Sequence, residues 1–222
     1  MDSKLKNQKL IFNWNLYIIT DEILSQGRSH FDVARAAISG GAKVIQLRDK
    51  TASSRTLYQS AQKIRDLTRE HGISFIVNDR VDIALACDAD GVHVGQNDLP
   101  AAVVRQLIGE GKILGVSASN LEEALQAESD GANYLGVGPV FEARRTKSDA
   151  GQPRGLELIT TVKAHCNLPI IAIGGINASN IREVFRSGAD GAAVISAVVT
   201  AGNIRKAVSN LLEIITSQKG ES

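Results

Sequence analysis

The stretch Ser74–Pro100 reads SFIVNDRVDIALACDADGVHVGQNDLP, and its pattern decides the architecture. Two short apolar runs, Phe75-Ile76-Val77 and Gly91-Val92-His93-Val94, each stop abruptly at polar residues: Asn78-Asp79 after the first, Gln96-Asn97-Asp98 after the second. Val81–Cys87, between them, has the apolar face of a short helix. A strand–helix–strand unit of a parallel sheet returns the chain to the same edge. Asp79 and Asp98 then stand at the C-terminal ends of adjacent strands. Two facing carboxylates suit a hard cation such as Mg²⁺, which keeps several waters and shares substrate phosphates. The same residues are equally suited to capping helices, where Asp is a favoured N-cap.

Outward from this unit, apolar runs and amphipathic segments alternate along the chain. Strands are expected at Leu16–Thr20, Lys43–Leu47, Ser74–Val77, Gly91–Val94, Ile113–Val116, Tyr134–Val137, Ile170–Ile173 and Ala192–Ile195. The clearest helical patterns are Arg55–Glu70, Asn120–Asp130, Ser179–Ser187 and Asn203–Thr216. Eight strand–helix repeats imply a single (β/α)8 TIM barrel of the α/β class over residues 14–222, preceded by a tail or extra turn at 1–13. A weak internal repeat agrees: Gly40–Val44, Asp88–Val92, Asp130–Tyr134 and Ser187–Gly191 each lead through a small-residue turn into an even-numbered strand. One connection, GPVFEARRTKSDAGQPRG after Val137, is too long for an ordinary loop. Its basic, Gly- and Pro-containing composition on the catalytic face favours a lid over a tolerated surface insertion.

With 222 residues, 43% hydrophobic and 22% charged, the chain can bury a large core. A formal charge of +1 argues against a general nucleic-acid or membrane-surface binder. No apolar run is long enough to span a bilayer. The polar start MDSKLKNQKL lacks a signal-peptide core. Cys87 and Cys166 lie far apart and form no metal motif, so the expectation is a reduced, cytoplasmic protein whose partners are small molecules.

Other strand ends carry further candidates. Gln46, Arg48 and Lys50 share one side of an extended chain and could fan onto a polyanion, or form an ordinary solvated strand end. Gly174-Gly175 after the seventh strand and Ile195-Ser196 after the eighth suit a phosphate held by backbone N–H groups. Ser117, Thr146 and Lys147 have less to mark them, and His93 reads as a packed, hydrogen-bonded histidine.

Taken together, YIITD (Tyr17–Asp21), QLRDK (Gln46–Lys50), VNDRVDIAL (Val77–Leu85), DGVHVGQNDLP (Asp90–Pro100), LGVSAS (Leu114–Ser119), GVGPVF (Gly136–Phe141), IAIGGIN (Ile171–Asn177) and GADGAAVIS (Gly188–Ser196) resemble the thiamine-phosphate synthase family. The resemblance implies a Mg²⁺-dependent condensation of an aminopyrimidine methyl diphosphate with a hydroxyethylthiazole phosphate. It assigns Gln46, Arg48, Lys50, Asn78 and Ser117 to the pyrimidine diphosphate and Asp79 and Asp98 to Mg²⁺. Thr146, Gly175, Ile195 and Ser196 fall to the thiazole phosphate, with Lys147 reaching the diphosphate. Arg48, Lys50, Ser117 and Lys147 are the implied catalytic residues. The chain departs from the family in the long loop, where Arg144 stands at the place of a first threonine. Two other readings share the barrel: a thiazole tautomerase-like enzyme, and a catalytically silent phosphate-binding barrel. The first has no need of the paired carboxylates beside the Gln-Arg-Lys fan, which decides against it, whereas the altered loop keeps the second open.

Overall fold

The structure, a computed structural model, describes residues 13–142 and 152–218. The tail at 1–12 and the loop residues Arg144, Arg145, Thr146 and Lys147 lie outside the described residues. Eight parallel strands close in sequence order, β1 (Leu16–Ile19), β2 (Val44–Leu47), β3 (Ser74–Asn78), β4 (Gly91–Val94), β5 (Ile113–Ala118), β6 (Tyr134–Val137), β7 (Ile170–Ile173) and β8 (Gly191–Val194), with β8 pairing back onto β1. Helices α1 (His30–Ser39), α2 (Ser54–Glu70), α3 (Val81–Ala86), α4 (Ala101–Ile108), α5 (Leu121–Ser129), α6 (Glu157–His165), α7 (Ile181–Arg186), α8 (Ser196–Val199) and α9 (Ile204–Gln218) cover the outside. The expected (β/α)8 barrel is therefore present. Boundaries differ by a residue or two, and Ile195, expected to end β8, instead leads into α8.

The internal repeat has a physical explanation at the bottom of the barrel. Gly41, Asp88, Gly131 and Gly188 all have positive φ, as a helix ending in a left-handed residue requires. The alanine that follows each turns its N–H back onto the preceding helix, as in Ala89 to Ala84 O at 2.9 Å and Ala132 to Ala127 O at 3.0 Å. The next residue then pins the odd strand beside it. Asp90 accepts from Phe75 N at 2.8 Å, Asn133 from Leu114 N at 2.8 Å and Asp190 from Ile170 N at 2.8 Å. Each of these three is held by a cation from an even-numbered helix: Arg65 at 2.9 Å, Arg105 at 2.7 Å and Lys163 at 2.8 Å. One unit of two strands and two helices is thus closed three times by the same contact. Trp14, buried at the bottom, adds a bond from its indole N–H to Ser74 Oγ at 3.1 Å.

The clamp has a measurable consequence. In Asp190→Ala the Ile170 N–H, at a fully buried residue, loses its acceptor, which costs about 1–3 kcal/mol. Asp190→Asn retains an acceptor oxygen and should recover more than half of that loss in urea titrations. Equal destabilisation by the two substitutions would remove the clamp as the cause.

Candidate active site

The strand ends open into a cavity of about 230 Å³ at the C-terminal face, where barrel chemistry resides. Its walls bring together Gln46, Arg48, Lys50, Asn78, Asp79, Asp98 and Ser117 from β2 to β5 and the loops after them. The side opposite is apolar, formed by Ile171, Ile173 and Ala193 of β7 and β8. Gly175, Ile195 and Ser196 are on the rim after β7 and β8 and are not among the lining residues.

Asp79 and Asp98 meet as the strand–helix–strand pattern implied, and neither caps a helix. The helix after Asp79 has no side-chain cap bond, and neither has the helix after Asp98. Asp98 instead accepts from Gly95 N at 2.7 Å, which holds its carboxylate in a tight turn. Asp79 has a φ of 59°, a left-handed conformation uncommon for a residue with a side chain. Burial, and then the neighbouring charge of Asp98, raise its carboxyl to about 6, against the pull of Lys50 and Arg48. Lys50 Nζ is 3.9 Å from Asp79 and Arg48 is 3.5 Å from Asp21, so both cations are already oriented by carboxylates.

A second layer sets the β2 end. Thr20 Oγ1 accepts from Arg48 N at 3.4 Å and is bonded to His30 Nδ1 at 2.8 Å. His30 Nε2 lies 3.2 Å from Asp49. Burial opposes the Asp49 charge, but the amides of Thr51 and Ala52, His30 and the Thr51 hydroxyl outweigh it and hold the carboxyl at about 2. Glu22, His30 and Asp49 have ligand atoms within 4.8 Å of one another, yet the bonds of His30 and Asp49 serve to fix the backbone that carries Arg48 and Lys50.

The glycines after β7 have a role the sequence did not reveal. Gly174 and Gly175 have φ of 104° and 64°. A Cβ on Gly174 would lie 2.7 Å from Pro139, and one on Gly175 would lie 2.7 Å from Phe141 Cβ. They make room for the stem of the β6 loop, which docks through Val140 N to Ile173 O and Phe141 N to Gly174 O. Close approach of an anion is thus not their sole requirement. Sequence reasoning also missed the cavity floor, where Tyr17 and Tyr134 are fully buried. Their signal was present: an inward tyrosine in a barrel strand needs a partner for its hydroxyl. Cys87 and Cys166 are free and buried, and burial pushes both thiols up, away from nucleophilic use.

Comparison with known proteins places the chain in a family. Residues 16–198 match the family described as thiamine monophosphate synthase. The chain belongs to the thiamine monophosphate synthase family. It is 56% identical over 206 residues to the thiamine-phosphate synthase of Chloroflexus aurantiacus, covering 93% of this chain and 94% of that one. Identity to the Moorella thermoacetica thiamine-phosphate synthase is 50% over 208 residues, or 94% and 99% of the two chains. The solved thiamine phosphate pyrophosphorylase from Pyrococcus furiosus superposes with a TM-score of 0.85 at 44% identity, over 96% of this chain and 98% of that one. Among the described residues no helix is long and apolar enough to cross a membrane.

The raised Asp79 carboxyl predicts a pH-dependent stability in metal-free protein of this family member. Its folded value, about 6, exceeds the ordinary carboxyl value of 3.8, so stability is full below 3.8 and is lost as pH rises through 6. Asp79→Asn, which tolerates positive φ, should raise the thermal midpoint by roughly 2–6 °C at pH 7.5. The gain should shrink at pH 4.5. A gain that is independent of pH would mean that charge repulsion is not its source.

Proposed function

We propose that the protein condenses an aminopyrimidine methyl diphosphate with a hydroxyethylthiazole phosphate, releasing pyrophosphate and forming thiamine phosphate. The observation that carries this reading is that Gln46, Arg48, Lys50, Asn78, Asp79, Asp98 and Ser117 converge on one cavity. Membership of the family makes the protein a transferase acting on small molecules. What the site must do follows from the chemistry. An electron-rich aminopyrimidine stabilises positive charge on its methylene, so the C–O bond can break ahead of attack by the thiazole nitrogen. Little proton transfer is needed, so the step does not depend on a general base. The demand is for positive charge around the departing diphosphate and for exclusion of water from the cation.

Arg48 supplies a guanidinium fork for phosphate oxygens, and Lys50 a mobile point charge. Asp21, Thr20 and the Asp49 turn pre-orient that pair, so little reorganisation accompanies binding. Gln46, Asn78 and Ser117 present amide and hydroxyl groups to the pyrimidine ring. Ile171, Ile173 and Ala193 give an apolar wall against which the ring is shielded from water. Asp79 and Asp98 fit Mg²⁺: they are hard oxygen donors in contact with one another, and their mutual repulsion is relieved by a divalent charge. Bound there, Mg²⁺ would neutralise negative charge developing on the diphosphate. Gly175 after β7, and Ile195 and Ser196 at the start of α8, are assigned to the thiazole phosphate. Thr146 and Lys147 complete the assignment from the loop outside the described residues.

Pure protein given both precursors and Mg²⁺ should release pyrophosphate in step with thiamine phosphate; absence of product at every substrate concentration would refute the reading. Asp98→Asn should lower turnover roughly 100-fold and raise the Mg²⁺ concentration needed for half-maximal rate. Near-normal turnover in that variant would exclude the two-carboxylate assignment.

A further inference from the structure

The floor of the cavity is crossed by one unbroken chain of hydrogen bonds. Gln46 Nε2 donates to Tyr17 Oη at 2.9 Å, Tyr17 Oη is 2.9 Å from Tyr134 Oη, Tyr134 Oη is 3.0 Å from His93 Nδ1, and His93 Nε2 is 2.9 Å from Ser117 Oγ. These residues sit on β2, β1, β6, β4 and β5, so the chain links five of the eight strands. Each phenol has one proton, and burial holds both tyrosines well above their usual range, so neither gives that proton up. With a neutral imidazole, the Gln46 donor at one end dictates every bond that follows. Tyr17 accepts from Gln46 and must donate to Tyr134. Tyr134 then donates to His93 Nδ1, which leaves the imidazole proton on Nε2, where it is donated to Ser117 Oγ.

The barrel is built around this chain. Gly115 pairs with His93 on one side and Tyr134 on the other, and a Cβ there would lie 2.5 Å from His93 Nδ1 and closer still to the Tyr134 hydroxyl. A Cβ on Gly136 would lie 2.8 Å from His93 Cε1. Two glycines thus vacate the space through which the histidine and tyrosine meet. Trp14 packs edge-on against both phenol rings at centroid distances of 5.5 and 5.4 Å and fixes their orientation.

We propose that Tyr17, Tyr134 and His93 are positioning residues that order the protons between Gln46 and Ser117, so that the cavity presents an acceptor at Gln46 Oε1 and a donor at the Ser117 hydroxyl. The two ends are coupled: one hydrogen-bond sense across the floor fixes opposite polarities at two points that face the ligand. An amino-substituted ring with an adjacent ring nitrogen offers the complementary donor and acceptor. This assignment of ligand rests on the reading of the cavity as a pyrimidine site, whereas the proton order is a property of the ligand-free protein. A ring that reverses the two groups would leave both cavity groups unmatched, which disfavours binding more than loss of one bond.

Nitrogen-15 spectra of the ligand-free protein test the order without any need for turnover. The chain contains four histidines, and the His93→Gln variant identifies the His93 signals. His93 should show a protonated Nε2 and a bare Nδ1, and Tyr134→Phe, which removes the donor to Nδ1, should mix the two tautomers. A protonated Nδ1 in the parent protein would overturn the proposal. A kinetic cycle tests the route through Ser117. Tyr134→Phe should raise KM for the pyrimidine diphosphate about tenfold, the equivalent of one hydrogen bond. In a Ser117→Ala background the same substitution should change KM less than twofold. A tenfold effect in both backgrounds would mean that Tyr134 does not act through Ser117 and would overturn the proposal.

Discussion

Closing eight parallel strands into a barrel removes every edge, so each inward side chain must find its partner within the ring itself. Apolar side chains meet this condition by filling space. Polar ones meet it only if they reach one another across strands, and that requirement shapes the floor. Tyr17, Gln46, His93, Tyr134 and Ser117 satisfy one another in series, and Gly115 and Gly136 are small because the series passes over them. Buried polar groups left partly bonded would be more costly than an apolar core. The polar floor is therefore compatible with the fold only as a complete chain.

The two ends of the barrel answer to different demands. At the bottom, Asp90, Asn133 and Asp190 each bind a strand amide and a cation, so charge and hydrogen bonding act together to stabilise the repeat. At the top, Asp79 and Asp98 are held against each other, with Asp79 in a left-handed backbone conformation and its carboxyl raised to about 6. Lys50 and Arg48 offset part of this repulsion but do not cancel it. Local destabilisation of this kind is what the proposed cation and polyanion site would carry in the free protein. The rest of the barrel carries that cost.

Legibility from the sequence follows the same division. The strands were readable because parallel strands covered on both faces are short continuous apolar runs, and the strand–helix–strand logic alone placed Asp79 beside Asp98. The Gln46, Arg48, Lys50 fan was readable because alternation along one strand is local. Contacts across the barrel were not local. His93 could be recognised as packed and hydrogen-bonded, but Tyr134 as its partner becomes visible only once β4, β5 and β6 are in register with Gly115 between them. Gly174 and Gly175 drew an anion-binding reading for a similar reason: the β6 loop that packs on them is distant in sequence.

The position of Ser117 joins these arguments. It lies on β5 between the carboxylate wall and the polar floor, and its backbone oxygen accepts from Gln96 Nε2 at 2.6 Å while its hydroxyl oxygen bonds His93. A serine at an exposed strand end could rotate its proton toward any acceptor. Here one lone pair is committed to the histidine and the backbone is tied to the β4 loop, the loop that also carries Asp98. The hydroxyl keeps its own proton to donate into the cavity that it lines. A residue with little to distinguish it in the sequence thereby becomes the point where the polar floor and the carboxylate wall meet.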